Sequence, residues 1–272
     1  MVDRISLINN LYQNFDEEAR LCKSRHGELE YITTMNFIHR YAASVSGVES
    51  VSETNILEVG AGTGRYSIAL AREGYNVTAL ELVESNLEIM KRNIGYMKNI
   101  TALQGDALDL SRFKDNSFDI TLVLGPMYHL FTVEDLNQAI DEAIRVTKKD
   151  GVIFFAYLSV HGVLYCNFLK GNFEAGCKIN LDKNLNTRHE LEQRFSAFGV
   201  EEFESLFKDK STEYLTTVAA EGILELAEKR TDFKMTDHDF KLYVKYHLLN
   251  CQRRELLGSS SHLIYICKKS KM

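Results

Sequence analysis

From residue 55 onward, short apolar runs alternate with segments whose apolar residues recur every three or four positions, a pattern that predicts strands alternating with helices. Residues 56–59 form an apolar run that stops at glycines, and residues 67–72 follow as a helix closed by Gly74, which is free to take a left-handed cap conformation. Residues 75–81 (YNVTALE) predict a second strand, followed by a helix carrying Leu87, Met90 and Ile94 on one face. Residues 100–104 predict a third strand. Residues 118–124 (FDITLVL) predict a fourth, almost continuously apolar, as a strand covered on both faces must be. A capping box at residues 132–135 opens a helix with Val133, Leu136, Ile140 and Ile144 inside it, and the turn Lys149-Asp150-Gly151 leads into a fifth strand at residues 152–157.

Strand–helix alternation at this spacing implies right-handed crossovers, hence a doubly wound, mostly parallel α/β sheet with ligands beyond the carboxyl ends of its strands. Outside this core, residues 1–46 read as helical, with Ile5, Ile8 and Tyr12 on one face and Leu29, Ile32 and Met35 on another. Residues 158–200 read as irregular, 200–207 as a helix, 213–219 as a strand, 236–251 as an amphipathic helix, and 263–267 as a last strand.

The glycine-rich segment Glu58-Val-Gly-Ala-Gly-Thr-Gly64 lies between the first strand and the first helix. Glycines at alternate positions let the backbone turn sharply and let a ligand approach the main chain without meeting a Cβ atom. An acid, Glu81, ends the next strand, where a carboxylate accepts hydrogen bonds from ribose hydroxyls. The dinucleotide spacing G-x-G-x-x-G fails in both frames, because residue 65 is Arg and residue 67 is Ser. That favours a ligand without a pyrophosphate over a nicotinamide dinucleotide.

Taken with these residues, ILEVGAGTGRYSIAL resembles motif I of the class I S-adenosylmethionine (SAM) dependent methyltransferases. Glu81 falls in the place of motif II, QGDA at residues 104–107 in that of motif III, and FDITLVLGPMYHL in that of motif IV. Lys148-Lys-Asp-Gly151 departs from the family's usual K-P-G-G. The likeness covers about residues 53–157 and is nearest to small-molecule enzymes similar to the quinone-biosynthesis C-methyltransferases.

The resemblance implies a Rossmann-like, seven-stranded sheet with an N-terminal helical lid (1–46) and a methyltransferase domain (47–272). That domain carries an irregular cap at about 158–200 and a helical insertion at about 220–258. It further implies SAM as cofactor, with S-adenosylhomocysteine (SAH) as product. Glu58 would fix the methionine ammonium. Gly60, Ala61, Gly62 and Gly64 would line the methionine and ribose, and Glu81 would take the ribose hydroxyls with Leu82 against the adenine. Asp106 would accept from the adenine amino group, Ala107 would offer its backbone, and Leu124 would close the floor. Tyr12 and Arg25 of the N-terminal segment are expected at the same site.

Gly125-Pro126-Met127-Tyr128 resembles the Asp/Asn-Pro-Pro-Tyr motif of amino-methylating enzymes, but Gly125 has no side chain to hold a target amine. Tyr128 is expected to wall the acceptor pocket. His129 is the candidate general base, on the strength of an ordinary pKa near 6.5.

The rest of the composition narrows the partners. A chain of 272 residues with a formal charge of −6 has no global positive field to gather phosphates. Five scattered cysteines without a C-x-x-C pair argue against a disulfide framework and a zinc site, and no apolar run reaches the length of a membrane span. The expectation is a cytoplasmic methyltransferase acting on a small-molecule acceptor, without metal, DNA or membrane partners and with its oligomeric state open. Two alternatives stand beside it: a catalytically silent SAM-binding protein and an RNA methyltransferase.

Overall fold

The computed structural model describes residues 4–12, 17–18, 20–45, 50–191 and 193–270. The expected boundary at residues 46/47 lies outside them. Two helices come first, α1 (Arg4–Tyr12) and α2 (Arg25–Ala42), the latter capped by Ser24, whose side chain accepts from the Gly27 amide. The core then alternates as expected: β1 (Asn55–Val59), α3 (Arg65–Arg72), β2 (Asn76–Glu81), α4 (Glu84–Ile94), β3 (Ile100–Gln104), β4 (Phe118–Val123), α5 (Val133–Val146) and β5 (Thr147–Ser159). The Thr132 side chain accepts from the Asp135 amide and starts α5, which is one of the two bonds of the expected capping box.

Seven strands lie in the order β3-β2-β1-β4-β5-β8-β7, where β7 is Thr212–Ala219 and β8 is His262–Lys269. The first five pair in parallel, and β8 runs antiparallel to both β5 and β7. A two-residue strand, β6 (Ala197–Phe198), adds to the end of β5. The order reverses direction between β1 and β4, which places the ends of β1, β2 and β4 around one crevice. Helices cover both faces, and α2 is anchored by Leu29, Phe37 and Ile38, all fully buried.

Two expectations are corrected. The turn at residues 149–151 is absorbed into β5: Asp150 takes a φ of 63°, and the register against β4 shifts between Phe118 and Ile120, so the extra residues form an irregularity inside a longer strand. Residues 158–200 are not irregular throughout. They hold α6 (Val160–Leu169) and α7 (Phe173–Asn180), packed on each other. Apolar residues surround α6 on all sides, leaving Tyr165, Phe168 and Leu169 exposed, so no helical periodicity showed in its sequence.

The remaining helices are α8 (Val200–Ser205), α9 (Leu224–Glu228), α10 (Asp237–Asn250) and α11 (Arg254–Leu257). No helix among the described residues is long and apolar enough to cross a membrane.

Candidate active site

The loop after β1 is built from backbone conformations that side chains resist: Gly60, Gly62 and Gly64 have φ of 74°, 56° and 88°. A Cβ on Gly60 would stand 2.7 Å from the Pro126 ring. Gly60 and Ala61 donate to the Leu80 carbonyl at 2.8 and 3.0 Å, which ties the loop to the end of β2. Glu81 completes the tie. Its carboxylate accepts from the Gly62 amide at 2.7 Å and from the Val83 amide at 2.8 Å, so main-chain donors fix its orientation.

A cavity opens over this loop. Glu58, Gly60, Ala61, Gly62, Glu81, Leu82, Asp106, Ala107, Leu124, Tyr12, Tyr128 and His129 all line it, so twelve expected residues from separate elements meet there. Two do not. Gly64 turns its missing side chain toward Met90 and Ile68, where a Cβ would stand 2.7 Å from Met90 Cγ, and its role is to let α4 pack close to α3. Arg25 is a correction: its guanidinium pairs with Glu28 and Asp237 and lies 4.6 Å over the Phe240 ring, away from the cavity. Facing charge and an aromatic partner hold it against α10 instead.

The carboxylates of the cavity differ in their needs. Glu58 is 2 % exposed, and its neighbour Ser67 donates to one oxygen. Burial, only partly offset by Ser67, raises its pKa to about 8. A buried acid with one neutral partner lacks a counter-charge, and an ammonium group supplies that. Burial also raises Glu81, opposed by its two amide donors. The donor set therefore fits an amino-acid tail at Glu58 and hydroxyl donors at Glu81.

Sequence reasoning missed Arg4, Glu17 and Arg20, which reach the cavity from the N-terminal segment. Arg4 pairs with Asp106, 102 residues away, while the other Asp106 oxygen accepts from the Leu108 amide at 3.1 Å. Glu17 packs over Gly62, and Arg20, partly buried, pairs with Glu17 and Glu30. No local signal marked them, since isolated charges in a polar stretch read as solvated.

His129 lies where expected, but its chemistry differs. It is 5 % exposed, its Nε2 is 3.0 Å from the Tyr12 hydroxyl, and burial followed by the Arg4 charge lowers its pKa to about 4. It is uncharged at neutral pH and a weak proton acceptor there, so the premise of an ordinary histidine pKa does not hold. Tyr128, with its hydroxyl donating to the Leu124 carbonyl at 3.3 Å and its pKa raised by burial, forms a wall with Phe195.

Behind the cavity, Glu30, Glu221 and His262 bring three ligand-type atoms within 4.8 Å of one another. Arg20 already holds both Glu30 oxygens at 3.0 Å. Burial opposes charge on His262, but Glu30 and Glu221 outweigh it and push its pKa up to about 9. The two cations balance the carboxylates, so the trio does not call for a metal ion.

Residues 57–155 match the family described as a methyltransferase domain. Over 118 residues the chain is 35% identical to the demethylmenaquinone methyltransferase of Clavibacter sepedonicus, covering 43% of this chain and 46% of that protein. It is 34% identical over 124 residues to the enzyme of the same name from Thermobifida fusca, covering 43% and 50%. The chain thus spans about half the length of these relatives.

Among solved structures, the magnesium protoporphyrin IX methyltransferase of Synechocystis with bound SAH superposes with a TM-score of 0.59 at 13% identity, covering 98% of this chain and 100% of that one. A SAM-dependent methyltransferase from Methanosarcina mazei gives 0.54 at 19% identity, covering 87% and 98%. At such identities these two speak for the fold. Residues 57–155 are thus a methyltransferase domain, with which the fold, the glycine loop and the strand-end acids of the SAM-dependent class I type agree.

Proposed function

We propose that the protein methylates a small-molecule acceptor. When bound, SAM supplies a methyl group made electrophilic by its sulfonium. The residues of the chain do the rest: they hold, orient and exclude water. Glu58 would neutralise the methionine ammonium, Gly60 to Gly62 would admit the tail against bare backbone, and Glu81 would hold the ribose hydroxyls. Leu82, Ala107 and Leu124 would pack around the base, with Asp106 accepting from its amino group once Arg4 gives way. The carrying observation is the pair Glu58 and Glu81, two buried acids at the ends of adjacent strands facing one cavity.

The N-terminal segment, expected as a lid over residues 1–46, serves as one in this reading through its described residues. Arg4, Ile8, Tyr12, Glu17 and Arg20 line the cavity together with the glycine loop, which favours a small molecule as acceptor. Titration calorimetry should show binding of SAM and SAH but not NADH; NADH binding with no response to either sulfur compound refutes the assignment.

Deleting residues 1–12 tests the lid. Ile8 is the buried residue of α1, so the fold should survive. Loss of the contacts from Ile8 and Tyr12 should weaken SAH about tenfold; unchanged affinity would remove the lid role. Deletion through residue 45 would be uninformative, because it also strips Phe37 and Ile38 from the core.

A further inference from the structure

A second cavity adjoins the first, and Tyr12, Glu17, Arg20 and Tyr128 line both. Its far walls combine Leu158, Val163 and Phe195 with charged groups. On the reading of the first cavity as the SAM site, this second space is where the acceptor lies, with its reacting end at the shared residues.

Arg20 sets the chemistry of that junction. Its Nε donates to Glu17 at 3.2 Å and its Nη1 to both Glu30 oxygens at 3.0 Å, while Nη2 has no hydrogen-bond partner among the described residues. Two nitrogens are thus used to fix the plane of the guanidinium, and the third remains as an oriented, charged donor. The other charges of the lining are close to balance once Glu221, which bonds His262 at 3.3 Å, is counted with them. Glu17, Glu30 and Glu225 are set against Arg20, Lys229, Lys170 and a protonated His262. Lys229 bonds Glu225 at 2.9 Å, whereas Lys170, on the rim, has no ion-pair partner among the described residues.

We propose that the second cavity takes the acceptor as an organic anion with an apolar, ring-sized body. Its negatively charged oxygen would rest on Arg20 Nη2 and its body against Tyr128, Phe195 and Leu158. A cation of the same shape meets the unpaired, charged Arg20 donor, which opposes its binding.

The test uses the full chain, saturated with SAH, and a matched pair of probes: 3-phenylpropionate and 3-phenylpropan-1-amine. Calorimetry should show the carboxylate binding about tenfold tighter or more, and Arg20→Gln should bring the two to near parity. Equal binding, preference for the amine, or no binding of the carboxylate by the wild type overturns the proposal. The wild-type comparison decides alone if Arg20→Gln does not fold. SAH is titrated first: failure there overturns the cofactor reading and this one with it, whereas SAH binding without charge preference overturns only the anion proposal.

Discussion

Glu81→Ala is expected to weaken SAH binding about a thousandfold, the largest single effect in the molecule, from the loss of two charge-assisted hydrogen bonds of about 1.5–3 kcal/mol each. The carboxylate is 5 % exposed and held by the Gly62 and Val83 amides, so its two oxygens are aimed before any ligand arrives. Alanine also strands those two amides, each costing about 1–3 kcal/mol if left unpaired, and loosens the loop that forms the floor of the cavity. Glu81→Gln separates the contributions: it keeps the side-chain volume and one acceptor, so only one of the two amides loses its partner, while SAH affinity falls about a hundredfold. Calorimetry with circular dichroism reads both. A Glu81→Gln protein that binds SAH as tightly as the wild type would show that position 81 does not hold the ribose.

Glu58→Gln is expected to move stability and affinity in opposite directions. The folded-state pKa of about 8 lies above the ordinary glutamate value of 4.5, so between these limits the folded chain binds a proton that the unfolded chain has released. Stability of the ligand-free protein therefore falls as pH rises from 4.5 to 8, with the full cost present above 8. Glutamine carries no such charge. At pH 8.5 the variant should be about 2–4 kcal/mol more stable than the wild type, and at pH 4.5 the difference should vanish. SAH affinity at neutral pH should drop about tenfold, because the ammonium loses its counter-charge. Urea unfolding at the two pH values checks the first half; a stability change independent of pH would mean that Glu58 ionises normally in the fold.

The opposing behaviour of these two acids separates what was legible early from what was not. Spacing alone placed both at strand ends, since a five- or six-residue apolar run followed by glycines or an acid has one reading in a doubly wound sheet. It did not reveal that Glu58 lacks a counter-charge while Glu81 has two amide donors. His129 was located correctly and misjudged chemically for the same reason: its pKa is set by burial and by Arg4, 125 residues away in sequence. The helical hairpin α6–α7 escaped notice because its apolar residues do not segregate to one face, and Arg25 was placed at the site by likeness when its partners are Glu28, Asp237 and Phe240.

The sequence by itself determined the alternation of strands and helices, the left-handed glycine loop and the positions of Glu58, Glu81 and Asp106, because periodicity and backbone permissiveness are local properties of a few neighbouring residues. Only the tertiary structure decided that Arg4, Glu17 and Arg20 converge on that loop, that Arg4 pairs with Asp106, and which groups are charged at neutral pH. Those outcomes depend on desolvation and on pairs distant in the chain, and both come into being only when the N-terminal segment folds over the sheet.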